Sequence, residues 1–270
     1  MEVLENGMKT IVVQNQKGGV GKTATSLLLL NKLNEMGRDV VFIDNDPQCS
    51  ASQWLDLQMI HGRSSKEKEQ YYAAKENGNL YRLMHDFCDL EECLFSIPET
   101  TVRFIPTIEQ YEKSKTDFRD QPGHENMFHR KLRDIDTEFL IIDTPGEMSL
   151  LTNWSLSIAD VVIIPVQTAY FSFESLPLLI KRIRTAQKYL NENLKKIILV
   201  PNMVDLRLRA SQTVMSLLIE RYGSNLIFLN GEEMPVHFVK RQAVENFMAG
   251  EEWRCPEIDE NLEIIIGSLL

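Results

Sequence analysis

A glycine-rich segment between a predicted strand and a predicted helix constrains this chain most tightly. Residues 17–23 read Lys-Gly-Gly-Val-Gly-Lys-Thr. The β-branched run Thr10–Val13 precedes them, and Ala24–Met36 follow as an apolar helical pattern that Gly37 ends. A strand, a glycine-rich turn and a helix in this order predict a loop that wraps phosphate groups.

The residue types in this loop suit that task. Glycines let the backbone N–H groups approach phosphates closely. We expect Lys22 to place its ammonium group between the β- and γ-phosphates and Thr23 to offer its hydroxyl to Mg²⁺. The first glycine of the strict G-x-x-x-x-G-K-[ST] pattern is absent, and a glycine-rich turn with an incidental lysine is the alternative. The candidate phosphate-binding residues are Gly18, Gly19, Val20, Gly21, Lys22, Thr23 and Ala24.

A carboxylate ends the apolar strand predicted over Phe139–Ile142. This residue, Asp143, is followed by Thr-Pro-Gly. In phosphate-loop proteins a carboxylate at this place holds Mg²⁺, directly or through a water. We therefore predict a Mg²⁺ site at Thr23 and Asp143, with a turn at residues 145–146 that senses the γ-phosphate.

Two more carboxylates, Asp44 and Asp46, follow the strand predicted over Val40–Ile43. Either is a candidate for acting on the water that attacks the γ-phosphate. The alternative for Asp46 is a helix N-cap before a helix at residues 48–55, and capping does not exclude catalysis.

Short apolar strands alternate with helices along the rest of the chain. The further strands are predicted at residues 102–106, 161–166, 197–200 and 227–229. This alternation predicts one α/β domain over residues 9–270, with a mostly parallel sheet flanked by helices on both faces. Residues 1–8 are expected to be a leader that need not be ordered, and the polar residues 62–80 an insert or helical excursion.

The composition favours a cytoplasmic protein. None of the four cysteines forms a C-x-x-C pair, so a disulfide scaffold or zinc module is not expected. No apolar stretch approaches the roughly 18 residues that span a bilayer, and the first residues lack the basic start of a signal peptide.

Three motifs together resemble the ParA/MinD family of deviant Walker ATPases. They are the loop with Lys17 in front of its glycines, Ile-Asp-Asn-Asp-Pro-Gln at residues 43–48, and Phe-Leu-Ile-Ile-Asp-Thr-Pro-Gly at residues 139–146. Weaker similarity covers most of residues 9–250. The resemblance implies a P-loop NTPase fold of the deviant Walker type, an ATPase activity, and ATP and Mg²⁺ as cofactors.

The resemblance also implies roles for single residues. Lys17 is expected to reach the partner's nucleotide in an ATP-bound homodimer, and Asp46 to orient the hydrolytic water. Asn202 is expected to hydrogen-bond adenine, with a strand-terminal turn residue as an equally good interpretation, and Pro235 to lie near the base. Ala24 replaces a Thr that is common in the family, which removes one hydroxyl near the α-phosphate. The residues assigned to catalysis are Lys17, Lys22 and Asp46.

The ParA-like branch of the family fits best. The tail after Arg254 carries no Lys or Arg, unlike the basic membrane-binding helix of MinD-like proteins. Nitrogenase-reductase relatives bind an iron–sulfur cluster through cysteines from two well separated loops, whereas Cys88 and Cys93 are only five residues apart. The branch implies a nucleoid-associated ATPase that partitions plasmid or chromosome cargo, with a ParB-like or adaptor protein stimulating hydrolysis and no membrane partner.

A local excess of positive charge predicts DNA contacts in a chain of net charge -10. Residues 181–209 contain eight Lys or Arg and two acidic residues. By resemblance, the candidates for DNA binding are Arg207, Arg209, Lys240 and Arg241. Nothing indicates base reading, so the contacts would be independent of sequence. For residues 181–188 a solvated helix face is the alternative.

Two other functions stay open. One is an ATPase of the same fold that positions a protein cargo or regulates a protein partner, with little or no DNA binding. The other is a metabolic enzyme that couples ATP to small-molecule chemistry. The second has less support, since no second substrate motif is found and Lys17 has no obvious use in it.

Overall fold

Seven strands form one sheet in the order β3-β4-β2-β5-β1-β6-β7 in the computed structural model, which describes residues 7–228, 232–253 and 255–270. The strands are β1 (Lys9–Val13), β2 (Val40–Asp44), β3 (Phe95–Ser96), β4 (Val102–Ile105), β5 (Phe139–Asp143), β6 (Val161–Gln167) and β7 (Lys196–Asn202). All neighbouring strands run parallel except β3 and β4. The predicted fold class, a mostly parallel α/β sheet, is confirmed.

Helices follow most strands and cover both faces of the sheet. Within the described residues they are α1 (Lys22–Glu35), α2 (Ser50–Ile60), α3 (Ser65–Asn77), α4 (Leu80–Met84), α5 (Leu90–Cys93), α6 (Ser114–Asp117), α7 (Met127–Leu132), α8 (Leu150–Ile158), α9 (Tyr170–Tyr189), α10 (Arg209–Tyr222), α11 (Gln242–Met248) and α12 (Pro256–Gly267). Short 3₁₀ helices lie at Glu109–Lys113, His124–Asn126 and Gly223–Asn225.

The sheet separates two apolar cores. Along β1, Ile11 and Val13 face the core under α1, α2, α11 and α12, whereas Val12 faces the core under α4 and α7–α10. All three side chains are fully buried. A strand with helices on both sides buries alternate residues on opposite faces, so it appears in the sequence as an unbroken apolar run.

Helix α12 packs against α1, the helix that follows the glycine-rich loop. Its residues Ile258, Leu262 and Ile266 have no exposed surface. Glu263 of α12 pairs with Lys32 of α1 at 2.7 Å. The apolar part of the tail therefore belongs to a core helix. Among the described residues, no helix has both the length and the hydrophobicity that crossing a bilayer requires.

The polar segment at residues 62–80 contains helix α3. Ser64 caps the helix, and its side chain forms a reciprocal capping box with Glu67. The hydroxyl of Tyr71 donates to Asp56 of α2 at 2.5 Å, and Lys75 pairs with Asp56 at 2.6 Å. These contacts attach α3 to the domain.

Two predictions fall partly outside the described residues. Of the leader at residues 1–8, residues 1–6 lie outside them, and Met8 packs against the core. Of the strand predicted at residues 227–229, Leu229 lies outside them, and Phe228 forms an isolated antiparallel bridge with Pro235.

Candidate functional site

The glycine-rich loop joins β1 to α1 at the carboxyl edge of the sheet. Gly21, the residue before α1, has a left-handed backbone with φ of +85°. No side chain of the described residues caps α1, and its first turn contains no acidic residue. The free N–H groups of an uncapped helix start attract anions. A Cβ placed on Gly18 or Gly19 would meet no atom of the described part of the chain within 4 Å, so the space in front of the loop is open there.

Lys22 lies over the turn that follows β5. A Cβ placed on Gly146 would lie 3.5 Å from the Nζ atom of Lys22. The turn and the lysine therefore face the same space above the loop, as the sequence predicts for groups that surround a γ-phosphate.

Asp143 accepts hydrogen bonds from two hydroxyls of α1. The Oγ1 atom of Thr23 and the Oγ atom of Ser26 each donate to it at 2.8 Å. Burial raises the pKa of Asp143 to about 6, although both hydroxyls favour the charged form. Thr23 and Asp143 thus supply adjacent oxygen atoms, which suit Mg²⁺. Ser26 was missed in the sequence; its place one turn after Lys22 is the signal that could have found it.

Asp44 and Asp46, the two candidates for acting on the attacking water, have different surroundings. Asp44 is fully buried and accepts from the backbone N–H groups of Ser52 at 2.7 Å and Asp46 at 3.1 Å. Burial, then the negative charge of Asp143, raises the pKa of Asp44 to about 7. Asp44 therefore fixes the turn after β2, whereas Asp46 is partly exposed.

The interpretation of Asp46 as a helix cap is wrong. Helix α2 begins at Ser50, and its capping residue is Cys49, whose left-handed φ is +58°. Asp46 instead accepts from the N–H group of Gln48 at 3.0 Å, within the turn. Asp46 therefore stabilises the turn that precedes α2 and does not cap the helix.

Asp46 opens onto a cavity of about 610 Å³ at the front of the site. The cavity is lined by Asp46, Pro47, Gln48, Glu109, Glu112, Lys115, Pro145, Gly146 and Glu147. Lys115 pairs with Glu112 at 2.8 Å and also with Glu147, and its side chain is mostly buried. The ion pairs attach the turn after β5 to the segment around α6.

Lys17 has a separate environment from Lys22. Its Nζ atom donates to the hydroxyl of Ser172 at 3.0 Å and lies 6.0 Å from the ring centre of Phe171. Both contacts belong to the first turn of α9. Asn15 holds the loop behind Lys17, because its side chain bonds the Lys17 N–H group and the Pro165 carbonyl at 3.0 and 2.8 Å.

Asn202 contacts the glycine-rich loop directly. Its Nδ2 atom donates to the Val20 carbonyl at 2.8 Å, and its Oδ1 atom accepts from the N–H group of Met203 at 2.8 Å. A Cβ on Gly21 would lie 2.4 Å from Nδ2 of Asn202. The carboxamide thus fastens the end of β7 to the loop. Met203 has a left-handed φ of +54°.

An apolar cavity of about 240 Å³ lies beside the loop and α1. It is lined by Gly21, Ala24, Thr25, Leu28, Asn202, Met203, Phe238, Val239, Lys240, Arg241, Val244 and Glu245. A mostly apolar slot next to a phosphate loop suits a nucleobase. Asn202 and Ala24 lie in its wall. Pro235 is buried three residues before the lining segment begins, where it bridges Phe228.

The basic candidates come together at the same edge. Val204 and Val239 form a parallel bridge, and the Lys240 N–H group donates to the Val204 carbonyl at 3.1 Å. This places Lys240 beside the loop that carries Arg207, whose side chain is 90% exposed and pairs with Asp205 at 2.7 Å. Two segments that are far apart in sequence therefore form one surface. We call it the basic edge; its members are Arg207, Arg209, Lys240 and Arg241.

Comparison with known proteins shows the family of the chain. A family model described as an AAA domain matches residues 8–196. The chain is 30% identical over 201 residues to the sporulation initiation inhibitor protein Soj of Bacillus subtilis, covering 74% of each chain.

Solved structures share the fold. A putative plasmid partition protein from Borrelia burgdorferi, bound to AMPPNP, matches with a TM-score of 0.75 and 20% identity over 96% of this chain and 99% of that one. Cobyrinic acid a,c-diamide synthase from Mycobacterium smegmatis, with a bound ATP analog and magnesium, matches with a TM-score of 0.76 and 23% identity over 97% and 94%. On the match over residues 8–196, the similarity to Soj and the phosphate loop with its two lysines, the chain belongs to the ParA/MinD family of P-loop ATPases.

Proposed function

We propose that this protein is a partition ATPase that binds ATP and Mg²⁺, dimerises, binds DNA without sequence specificity and hydrolyses ATP slowly to position plasmid or chromosome cargo. The separate surroundings of the two loop lysines support this proposal most strongly. Lys22 faces the turn at Gly146, whereas Lys17 extends to Ser172 at the first turn of α9. A single nucleotide needs one lysine at its β- and γ-phosphates, so the second is available to another subunit.

The residues of the site fit ATP with Mg²⁺. The uncapped start of α1 and Lys22 would hold the phosphates, while Thr23 and Asp143 would hold Mg²⁺, directly or through a water. Mg²⁺, when bound, neutralises charge on the phosphate oxygens. The apolar slot beside α1 would take the base. Asn202 would meet adenine from its position in the wall, and Pro235 would support the segment that follows it.

Asp46 is the residue we assign to orienting the attacking water. It is partly exposed and lines the front cavity together with Gly146. Asp44 is unsuited to this task, because its oxygens accept from two backbone N–H groups in a fully buried turn. We therefore expect Asp46→Ala to bind ATP and dimerise but not hydrolyse, so that the ATP-bound dimer accumulates.

DNA binding is assigned to the basic edge. Two protomers joined by ATP would present two copies of this surface, and doubling the phosphate contacts strengthens non-specific binding and its salt dependence. The edge is fastened to the nucleotide site through Asn202 and the bridge between Val204 and Val239. A ParB-like or adaptor protein would accelerate hydrolysis, and the protein would associate with the nucleoid in the cytoplasm.

The decisive experiment measures binding of labelled duplex DNA by fluorescence anisotropy with and without ATP. We expect Asp46→Ala to bind DNA only with ATP. Adding Arg207→Glu and Arg209→Glu should abolish this binding while light scattering still detects the dimer. A matched control adds Lys66→Glu and Arg133→Glu, which reverse two exposed charges away from the basic edge and should leave binding unchanged.

Two results would contradict the proposal. DNA affinity that does not depend on ATP would remove the switch. An ATP-dependent dimer with no affinity for DNA would favour the alternative, an ATPase of the same fold that positions a protein cargo or regulates a protein partner.

A further inference from the structure

A second basic surface lies away from the nucleotide site, in a groove between α9 and the end of α10. The groove is a cavity of about 620 Å³. Its lining residues are Pro177, Ile180, Lys181, Arg184, Thr185, Lys188, Tyr189, Arg221, Tyr222, Ser224 and Asn225.

The groove lies toward the opposite end of the sheet from the glycine-rich loop. Helix α9 starts after the carboxyl end of β6 and runs back toward the start of β7. At that end, the Nδ2 atom of Asn225 donates to the carbonyl of Ile197, the second residue of β7, at 2.9 Å. A ligand in the groove would therefore leave the loop and the basic edge accessible.

Four cations converge on this groove without acidic partners. They are Lys181, Arg184, Lys188 and Arg221. Among the described residues, none of the four lies within 4.0 Å of a carboxylate, and the lining includes no Asp or Glu. The nearest acidic group on α9 is Glu174, one turn before Pro177. In a chain of net charge -10, such an unpaired cluster favours an anionic ligand.

The cations have regular spacing and partly fixed positions. Lys181, Arg184 and Lys188 are three and four residues apart on α9, which places them on one face over roughly 10 Å. Arg221 faces them from α10, with its guanidinium carbon 5.1 Å from the ring centre of Phe173. The Nζ atom of Lys188 lies 4.9 Å from the ring centre of Tyr189.

Apolar groups lie between and beside these charges. Pro177 and Ile180 form part of the wall on α9, and Tyr222 faces them from α10. Tyr189, which also lines the groove, is 71% exposed and presents a large aromatic surface. A ligand that fills the groove must therefore satisfy cations and cover apolar surface together.

We propose that this groove binds an acidic amphipathic segment of a partner protein. Carboxylates spaced at three and four residues on a helical segment would match the cations of α9, and the apolar face of the same segment would cover Pro177 and Tyr189. The phosphates of duplex DNA would pair with the cations but leave the apolar groups uncovered. The charge and the apolar wall together favour the peptide.

The test uses a fluorescein-labelled 16-residue helical peptide with glutamates along one flank and leucines beside them. A matched peptide replaces every glutamate with glutamine. Binding to the full-length protein is measured by anisotropy. The variant is Arg184→Glu, and the control is Arg182→Glu, an exposed arginine on the same helix that does not line the groove. ATP binding is measured in both variants to confirm that they are folded.

We expect the acidic peptide to bind the wild type and Arg182→Glu equally, and Arg184→Glu about tenfold more weakly, because charge reversal replaces an attraction with a repulsion. The glutamine peptide should bind at least about tenfold more weakly to the wild type. The proposal is overturned if the acidic peptide does not bind, if both variants lose binding equally, or if Arg184→Glu impairs only duplex DNA binding. None of these outcomes depends on ATP-driven dimerisation, so the groove and the proposed function fail separately.

Discussion

At the scale of single residues, Gly21 is required by its backbone and by its neighbour. Its φ of +85° disfavours any side chain, and a Cβ would lie 2.4 Å from Nδ2 of Asn202. We expect Gly21→Ala to lose about 1–2 kcal/mol of folding stability from the backbone alone, and more from displacing Asn202. Gly37→Ala is the control, since Gly37 has φ of +69° but its Cβ position has no neighbour within 4 Å among the residues that the structure describes. Urea unfolding of both variants measures the difference in their free energies of unfolding. Equal losses of this free energy would show that the Asn202 side chain moves aside without cost.

Ser26 offers a second test at this scale. Its hydroxyl donates to Asp143, and its removal leaves one carboxylate oxygen buried without that donor. We expect Ser26→Ala to lower stability by about 1–3 kcal/mol and to raise the Mg²⁺ concentration needed for ATP binding, because Asp143 is less well positioned. Ser216→Ala is the control, as its exposed hydroxyl donates to the carbonyl of Gln212 in its own helix. An unchanged Mg²⁺ requirement in Ser26→Ala would contradict the positioning role.

The sequence predicts side chains in motifs better than the contacts that support them. Lys22 and Thr23 follow from a pattern whose spacing is set by the phosphates. The structure places Lys22 beside the turn after β5 and Thr23 in hydrogen-bond contact with Asp143. The partners of Asp143 and Asn202 depend on how α1 and β7 pack against the loop. Such long-range packing leaves no local pattern. The left-handed Cys49, which shifted the start of α2, is equally invisible, because Cys carries no strong preference for that conformation.

At the scale of elements, His85 joins α4 to α6 in a way that depends on pH. Its Nε2 atom lies 3.2 Å from the hydroxyl of Ser114, and its ring packs 4.7 Å from that of Phe118. Burial lowers the pKa of His85, and the positive charge of Lys131 lowers it further. The negative charges of Asp117 and Asp86 act in the opposite direction, because they favour the charged imidazole.

A histidine with a lowered pKa contributes stability that is complete above its unfolded pKa of about 6.5. As the pH falls from there through the folded pKa, the unfolded chain binds the proton first and stability is lost. We expect His85→Gln to lose less stability than the wild type between pH 7.5 and pH 5.5, measured by urea unfolding. His61→Gln, at an exposed position after α2, is the control and should follow the wild type. A parallel loss in His85→Gln would exclude this residue as the source.

Elements were predicted well where hydrophobic periodicity defines them. The strands β1, β2 and β5 begin or end within one residue of their predicted bounds, because both faces of each are buried and the apolar run is unbroken. The two-residue strand β3 was not predicted, since so short an edge strand has no period. The role of α12 was also missed, because its apolar face becomes a core surface only when α1 is beside it.

At the scale of the whole molecule, Lys17 tests the proposed dimer. Its contacts with Ser172 and Phe171 belong to α9 of its own chain, so its removal should leave the phosphate loop intact. We expect Lys17→Ala to bind ATP with wild-type affinity but to remain monomeric in light scattering with ATP. Ser172→Ala is the control, because it removes the internal partner and keeps the lysine; it should still dimerise. Normal dimerisation of Lys17→Ala would rule out a contact of Lys17 across subunits.

The backbone of Met203 is strained between two fixed contacts. Asn202 holds one side of it to the phosphate loop, and the bridge of Val204 with Val239 holds the other side to the basic edge. A left-handed conformation costs a residue with a Cβ about 1–2 kcal/mol. Both contacts must stay closed for this strain to persist. If either contact opens, Met203 relaxes, so the strain favours the first opening by a factor of at least about five and no longer favours the second. The connection between the phosphate loop and the basic edge is therefore released most easily at one contact, at Asn202 or at Val204, while the other stays closed.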